Sequence, residues 1–569
     1  MSAAGDSQAA PTQPRGARSA GQPVAAPVDT ARQAWADARA MADAGDYEGA
    51  LVVVRRGLAN APDQSDLLWL EAGCIGWAGR HAEAVRRYEQ LIVKHPELAG
   101  EVRTDLATQR LWAGDPRGAL RDLNARLLEE PGDHEARAMR ALALSHADLL
   151  VEALAAYDSL IAASPGDVSL VLERARVLMW MDRNTDAANT YRDLLAREPG
   201  NREAQLGIAR VQNATGLHRH AIATLAPLAA EAGADPEVLK ALAFAHYWSG
   251  DPARARTALG GYRAQHPADQ EGLDLETRIR RDQAASLTLG YSRSDDSDGL
   301  RVGTTSMELR LPLGARNAAR LGWQRDNVSD AQGTRDPLQW RAGLERIWSA
   351  QWQTRASLSI VDFGSQAGTP GHGELGLTWR PEDRYRIDGG VSRDDITTRR
   401  ALALGISAQT WVAGVDVRPS SKWLLHADAR QRFFSDENRS QAETGSARCE
   451  VWSQHGAQLT LQARVQQLRT RLDLDHGYYD PAQYFEWGPG AAAEWSKAAR
   501  VTVSGELWGG WQRERNAQAN PLLNASGRIE WVIERYATLS LEGGRSNSNL
   551  QSASGYERRQ WAVSIARGF

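Results

Sequence analysis

Beyond Ala284 apolar and polar residues alternate one for one, and this period of two constrains the fold more than any other feature of the chain. In "QWQTRASLSIVDF", Trp352, Thr354, Ala356, Leu358 and Ile360 alternate with Gln351, Gln353, Arg355, Ser357 and Ser359. Ala319, Leu321 and Trp323 oppose Arg320, Gly322 and Gln324 in the same way. Leu459, Leu461, Ala463 and Val465 oppose Gln458, Thr460, Gln462 and Arg464. The chain ends on such a segment, with Trp561, Val563, Ile565 and Phe569 on one side and Gln560, Ser564 and Gly568 on the other. Each segment is a strand with one apolar and one wetted face.

A β-sandwich alternates too, so the connections decide. Tight ones fall at Pro312–Gly314, Trp348–Gln351, Arg380–Asp383, Arg418–Lys422, Ser453–Gly456, Ser496–Ala499 and around Glu534–Arg535. Longer polar loops lie between them: "RSDDSDG", "NVSDAQGTRDP", "DFGSQAGTPGH", "RDDITTRRAL", "FSDENRSQ", "RTRLDLDHGYYDP", "RERNAQANP" and "RSNSNLQSASGYE". Eight long loops and seven short turns define sixteen antiparallel strands. Strands of about ten residues with short turns on one rim and long loops on the other make an outer-membrane β-barrel. An even count leaves both ends of the barrel on the short-turn rim, so whatever precedes it is expected in the periplasm. Trp340, Trp348, Trp379, Trp423, Trp495 and Trp531 sit near strand ends, as girdles at the lipid interface require. Sixteen strands enclose an aqueous channel, which makes transport the natural role. The terminal Phe569 resembles the signal by which the barrel assembly machinery recognises outer-membrane proteins.

Helical spanning is excluded, because no run approaches about 18 apolar residues. With 67 Lys+Arg against 71 Asp+Glu and a net charge of -4, neither global charge nor a basic stripe points to nucleic acid. The Ala/Pro/Gln/Ser-rich start lacks the apolar core of a signal peptide and reads as a flexible leader over residues 1–30. Cys74 and Cys449 fall in different halves and are expected to be free.

The first half repeats. Gly45/Ala50/Pro62 recurs as Gly79/Ala84/Pro96 and Gly114/Ala119/Pro131, then as Asp148/Ala153/Pro165 and Asp182/Ala187/Pro199, at 34 or 35 residues. A sixth copy keeps Gly216 and Ala221, and a seventh closes with Gly250, Ala255 and Pro267. Small residues (Ala72, Ala107, Ala141, Ala175, Ala209, Ala243) mark the first helix of each pair and bulky ones (Tyr88, Leu123, Tyr157, Tyr191, Leu225) the second. This resembles the tetratricopeptide repeat: small residues let antiparallel helices approach, bulky ones fill the gap, and Pro ends the pair. "EGLDLETRIRRDQ" reads as a capping helix. Such arrays present an extended concave surface and bind proteins by default.

By parity the lumen receives Glu308, Glu345, Glu374, Asp388, Asp416, Asp428, Glu450, Glu494, Glu506 and Glu530, with Arg320, Arg341, Arg355, Arg386, Arg430, Arg464 and Arg528. Such a wall is either a rigid ladder of acid–base pairs or a track on which a hydrophilic polymer makes weak, repeated contacts. His426 and Asp428 share one inward face, but no serine is identifiable as a nucleophile, so no catalytic residue is assigned. "DDSDG" lacks the distal Glu of a calcium loop and "HRH" at His218–His220 lacks a ligand set. Both read as solvated surface, and neither a metal site nor a cofactor site is expected.

Two loops carry a more specific likeness. The run from Gly405-Ile406 to Phe434-Ser435-Asp436-Glu437-Asn438-Arg439 resembles the poly-β-1,6-N-acetyl-D-glucosamine export porins, which have a Gly-Ile strand and a Phe-Ser-Asp-Gly-Asn-Arg loop. "GYYDPAQYFEW" is similar to the Tyr-Tyr-Asn/Ser-Pro loop of those porins and of the cellulose exporters. Glu437 stands where that family has Gly. The resemblance implies an exporter of an exopolysaccharide for biofilm matrix, whose repeats recruit a deacetylase-like periplasmic enzyme or deliver polymer to the pore. It adds Asp436, Asn438, Arg439, Tyr478, Tyr479 and Asp480 to the polymer path beside Glu374, Asp388, Asp416, Asp428, Glu450, Glu506 and Glu530. Because Tyr478–Asp480 follow Gly477 in a long external loop, replacing them is expected to cost little stability.

The expected layout is a leader (1–30), a periplasmic tetratricopeptide-repeat α-solenoid (31–283) and a sixteen-stranded antiparallel transmembrane β-barrel (284–569), non-enzymatic and set in outer-membrane lipid. The competing readings are a plugged barrel that anchors a periplasmic scaffold, a cellulose-type exporter, and a barrel-embedded hydrolase built on His426.

Overall fold

The computed structural model describes residues 27–231, 233–363, 371–454, 456–497, 500–534, 536–549 and 557–569. Most of the leader, the centres of "DFGSQAGTPGH" and "RSNSNLQSASGYE", and the turn residues His455, Ala498, Ala499 and Arg535 lie outside them.

Fifteen α-helices run in sequence from Pro27–Asp43 to Gln270–Gln283 among the described residues, paired as tetratricopeptide repeats. Backbone geometry explains the punctuation of the repeat. Gly45, Gly79, Gly114, Gly216 and Gly250 all have φ between 78° and 86°, and Asp148 (63°) and Asp182 (56°) take the same left-handed conformation where the repeat carries Asp. That turn needs positive φ, which Gly adopts freely and Asp tolerates better than most residues. Ala72, Ala107, Ala141, Ala175, Ala209 and Ala243 are fully buried, and Tyr88, Leu123, Tyr157, Tyr191 and Leu225 fill the space opposite them. Asp46, Asp115 and Asp251 each cap the following helix through a backbone N–H three residues on. Leu217, at the equivalent place before helix His218–Ala229, has no side chain able to do so.

Compact units divide between Val211 and Gln212. The second unit contains helices His218–Ala229, Pro236–Trp248, Pro252–Gln265 and Gln270–Gln283 together with every strand.

Sixteen strands, from Ser286–Asp296 to Arg558–Gly568, form one closed antiparallel barrel; the three residues Gly333–Arg335 extend the hairpin on strand Asn317–Asp330. The last strand closes on the first along its whole length, Ser286 opposite Gly568 through Asp296 opposite Arg558. Closure removes the unpaired edges that a membrane does not tolerate. Leu289, Met307, Leu321, Leu344, Leu358, Leu375 and Ile565 stand exposed on the outer wall, an apolar band that only lipid covers well. Trp352 and Trp379 stack at the ends of neighbouring strands, 5.3 Å between centroids. Among the described residues no helix is long and apolar enough to cross a membrane, so the strands do the spanning.

Candidate functional site

The inner wall begins as a ladder of charge. Arg320 bridges Glu308 (2.7 Å) and Glu345 (3.0 Å), and Arg355 bridges Glu345 (3.5 Å) and Glu374 (3.7 Å), so one acid–base chain crosses five strands. Alternation forces this, since residues two apart share a face and cross-strand neighbours sit within side-chain reach. Asp388, Asp416, Asp428, Glu450, Glu506 and Glu530, also predicted to face the lumen, are engaged too. Asp388 pairs with Arg386 at 2.8 Å and accepts from the Thr378 hydroxyl. Glu530 pairs with Arg528 at 2.6 Å. Glu450 and Glu506 accept from the Gln458 and Gln462 amides, each at 2.7 Å. His426 lies between Asp416 (Nδ1, 2.7 Å) and Asp428 (Nε2, 3.1 Å). With both ring nitrogens taken by carboxylates, the imidazole has neither nitrogen left to activate a nucleophile.

The loop residues gather at the long-loop rim. Tyr478 stacks on Phe434, centroids 4.4 Å apart and planes within 4°, and its hydroxyl donates to Asp436 at 2.7 Å. Asn438, 2% exposed, donates to the Leu472 carbonyl (2.9 Å) and to Tyr478 Oη (3.0 Å). His476 Nδ1 contacts Asp436 at 2.8 Å. Burial pushes the Asp436 carboxyl up, and the bonds from His476, Tyr478 and the Asn438 backbone outweigh it and hold it below its ordinary range. Tyr479 donates to Glu514 at 2.6 Å, and Asp480 accepts the Leu474 N–H at 2.6 Å. Burial raises the ionisation of Tyr478, Tyr479 and Asp480 above their usual ranges. Arg439 keeps an exposed side chain. The two tyrosines are not the loosely held loop residues that the expectation of a small stability cost assumes: Tyr478 ties loop 471–483 to Phe434, Asp436 and Asn438, and Tyr479 is bonded to Glu514. Glu437 has φ 68°, a left-handed conformation that Gly adopts without strain.

These loops bridge the mouth. Helix Arg399–Leu404, capped by Thr398 and ended by Gly405 at φ 67°, sits in the loop after strand Tyr385–Asp395. Arg399 binds Asp330 at 2.7 Å and Arg400 binds Asp475 at 2.7 Å. Leu402 packs on Leu300 and Val328. Leu300 lies between the first two strands and Asp475 precedes strand Tyr484–Lys497, so one helix touches loops from separated arcs of the ring and spans the opening between them. The sequence offers this helix only a Thr and a Gly as signals.

At the opposite rim, Arg219 donates its backbone N–H to Asp383 (2.9 Å) and its guanidinium to the carbonyls of Pro381 (3.0 Å) and Ala350 (2.8 Å). "HRH" is therefore not solvated surface; Arg219 is fixed between two short barrel turns. In "DDSDG", Asp296 accepts the backbone N–H groups of Asp298 and Leu300 and closes a turn. No group of three or more His, Cys, Asp or Glu is placed to hold a metal ion among the described residues. Cys74 is buried and free, its thiol pushed up to about 12 by burial.

In the repeats, the last residue of the first helix in successive pairs is Trp77, Trp112, His146 and Trp180. Trp112 and His146 meet edge to face at 6.2 Å, and His146 and Trp180 at 5.9 Å. Trp77 and Trp180 also pack against the buried cores of their helix pairs, and the period of 34 or 35 residues was enough to find the row.

A closed sixteen-stranded barrel with an apolar outer band and a charged inner wall, preceded by helical repeats, defines a repeat-bearing β-barrel of the outer membrane. Residues 316–502 match the PgaA membrane beta barrel domain, and residues 104–168 and 181–243 match tetratricopeptide repeat families. The chain thus has the PgaA-like architecture, repeats followed by a PgaA-type barrel. Among solved structures it is similar to a bacterial polysaccharide outer membrane secretin, at 14% identity and TM-score 0.44 over 50% of this chain and 99% of that one. A tetratricopeptide repeat protein from Parabacteroides merdae gives 16% identity and TM-score 0.41 over 44% of this chain and 99% of that one. CdiB from Acinetobacter baumannii gives 10% and 0.34 over 50% of this chain and 60% of that one. No curated protein matches the sequence.

Proposed function

We propose that the protein passes an exopolysaccharide, of the poly-β-1,6-N-acetyl-D-glucosamine type, across the outer membrane through its barrel. The observation that carries this reading is the PgaA-type barrel domain combined with an inner wall paved by paired charges. Such a wall stays wetted and offers a sliding polymer many weak partners in place of one tight one. The lumen carboxylates Glu374, Asp388, Asp416, Asp428, Glu450, Glu506 and Glu530 are its track, and the loop residues Asp436, Asn438, Arg439, Tyr478, Tyr479 and Asp480 form its exit. Arg219 attaches a repeat helix to the short-turn rim, which supports a periplasmic place for the repeats. Their aromatic row is the face offered to a polymer-modifying enzyme. The test is secretion: cells lacking the protein lose extracellular polysaccharide and regain it with the full chain. Unchanged secretion in its absence overturns the reading.

The helix across the mouth favours a second reading, a plugged barrel that anchors a periplasmic scaffold. In that case secretion survives when the lumen is filled by bulky substitutions but fails when the repeats are removed.

A further inference from the structure

One arc of the inner wall is recessed. Gly490 lies opposite both Gln462 and Trp508, and Gly544 opposite both Ser526 and Gln560. With no side chain at Gly544 the wall sinks into a cavity of about 220 Å³ lined by Arg464, Glu506, Trp508, Asn524, Glu542 and Arg558. A second cavity, of about 350 Å³, shares Glu506, Ser526 and Glu542 with it and continues past Glu494 and Arg528 toward the short-turn rim.

The first cavity holds polar atoms that the protein leaves unused. Asn524 sits between Trp508 and Ser546 on neighbouring strands, and its side-chain oxygen and nitrogen are both buried without a partner. The Arg464 Nε is likewise unpartnered. Leaving such groups unmet costs free energy comparable to a lost hydrogen bond for each. Their surroundings are firmly held. Trp508, 2% exposed, donates its indole N–H to the Gly488 carbonyl at 3.0 Å. The Arg464 guanidinium lies over its ring, 5.3 Å from the centroid. Glu506 is oriented by Gln462. Asn524 is therefore a fixed pair, one acceptor beside one donor, in a recess with carboxylates on one side and donors on the other.

We propose that this arc is a carbohydrate-binding site for two consecutive residues of a neutral, hydroxyl-rich pyranoside chain. Asn524 takes two adjacent hydroxyls of one residue, accepting from the first and donating to the second. Glu506 and Glu542 accept further hydroxyls, and the second cavity receives the next residue. Beside Glu506 and Glu542 the lining holds Arg464, Arg545 and Arg558, so the discrimination rests on Asn524: a simple anion or a simple cation would satisfy only one of its two atoms. A diol meets both. This site rests on the export reading above and gives it a place where the chain pauses.

The experiment is isothermal titration of the detergent-solubilised full chain with a β-1,6-linked N-acetylglucosamine hexasaccharide and with maltohexaose. The hexasaccharide is expected to bind, and Asn524→Leu to weaken it about tenfold, on the order expected from losing paired hydrogen bonds in a buried site. Asn524→Asp keeps the shape but loses the donor and is expected to weaken binding as well. Leu358→Ala on the lipid face leaves it unchanged. Heat-modifiable gel mobility shows which variants fold, and Glu542→Gln, expected to weaken binding severalfold, serves if neither Asn524 variant does. Wild-type affinity in the folded variants overturns the site while export stands. A wild-type chain that binds neither oligosaccharide, in cells whose secretion still needs the protein, also overturns the site alone. If secretion is independent of the protein, the export reading falls first and the site with it.

Discussion

Asp383, on a short barrel turn, accepts the backbone N–H of Arg219 at 2.9 Å and so caps a helix that has no cap of its own. Where Asp46, Asp115 and Asp251 begin their own helices, the sequence has Leu217, and the carboxylate arrives from 164 residues away. A negative charge at a helix N-terminus meets both the unpaired N–H groups and the positive end of the helix dipole.

Asp383→Ala is therefore expected to free helix His218–Ala229 at its first turn, at a cost of about 1 kcal/mol, in the range of other lost caps. Hydrogen exchange at residues 218–221 rises while heat-modifiable barrel mobility stays normal. A matching Leu217→Asp in the Asp383→Ala background restores protection. Unchanged exchange in Asp383→Ala would show that the three Arg219 contacts are redundant.

The barrel was legible because alternation is a local property: Arg320 and Glu308 are inward by parity, and they meet on a diagonal, since the register sets Arg320 opposite Arg310 and Glu308 opposite Gly322. The repeats were legible for the same reason, since Gly45 and Asp148 mark one turn conformation at a fixed period. The mouth was not. Thr398 and Gly405 bracket a helix too short to show a period, and the partners of Arg399 and Tyr478 come from the ends of other strands, far away in the sequence. "HRH" was misread because its partner is a turn on the barrel rim, which nothing in its neighbourhood announces.

Tyr478 gives the second prediction. Tyr478→Ala removes the stack on Phe434 and the bonds to Asp436 and Asn438, and is expected to cost roughly 1–3 kcal/mol of loop stability. Tyr478→Phe keeps the ring and loses only the hydroxyl, at about 1 kcal/mol. Proteolysis within residues 470–484 reads this, with Ala faster than Phe and Phe faster than wild type. Equal rates for all three would mean that the network does not hold the loop.

Asp105 gives a pH dependence in the repeats. Burial raises its carboxyl to about 6, although the Trp69 indole N–H, 2.7 Å away, works to lower it. The unfolded value is about 3.9, so the charge is disfavoured in the fold. Its stabilising contribution is present below the unfolded value and is lost as pH rises through about 6. Asp105→Asn still accepts the indole N–H and is expected to stabilise the helical signal by roughly 1–2 kcal/mol at pH 7.5, with little effect at pH 4. Thermal unfolding followed at 222 nm across that range checks it. An equal shift at both pH values would assign the effect to packing.

The last prediction concerns the helix across the mouth. Leu402 sits against Leu300 and Val328, Ala401 against Ile406, Ala408 and Phe434, Arg399 against Asp330 and Gln332, and Arg400 against Asp475, so two apolar contacts and two ion pairs hold the helix, with Leu402 its apolar contact to the first strands. Surface ion pairs contribute little, on the order of 0–1 kcal/mol, whereas a charge forced into the Leu402 contact cannot be hydrated there. Leu402→Glu is therefore expected to release the helix, and Arg399→Ala to leave it mostly in place. Neither Leu402 nor Arg399 lies on a barrel strand, so barrel folding on gels stays normal in both variants. Single-channel current in planar bilayers should rise several-fold for Leu402→Glu and change little for Arg399→Ala, and cells carrying Leu402→Glu should become sensitive to large antibiotics that the outer membrane excludes. Equal, low conductance in the wild type and in Leu402→Glu would place the constriction inside the barrel, at the charged wall itself.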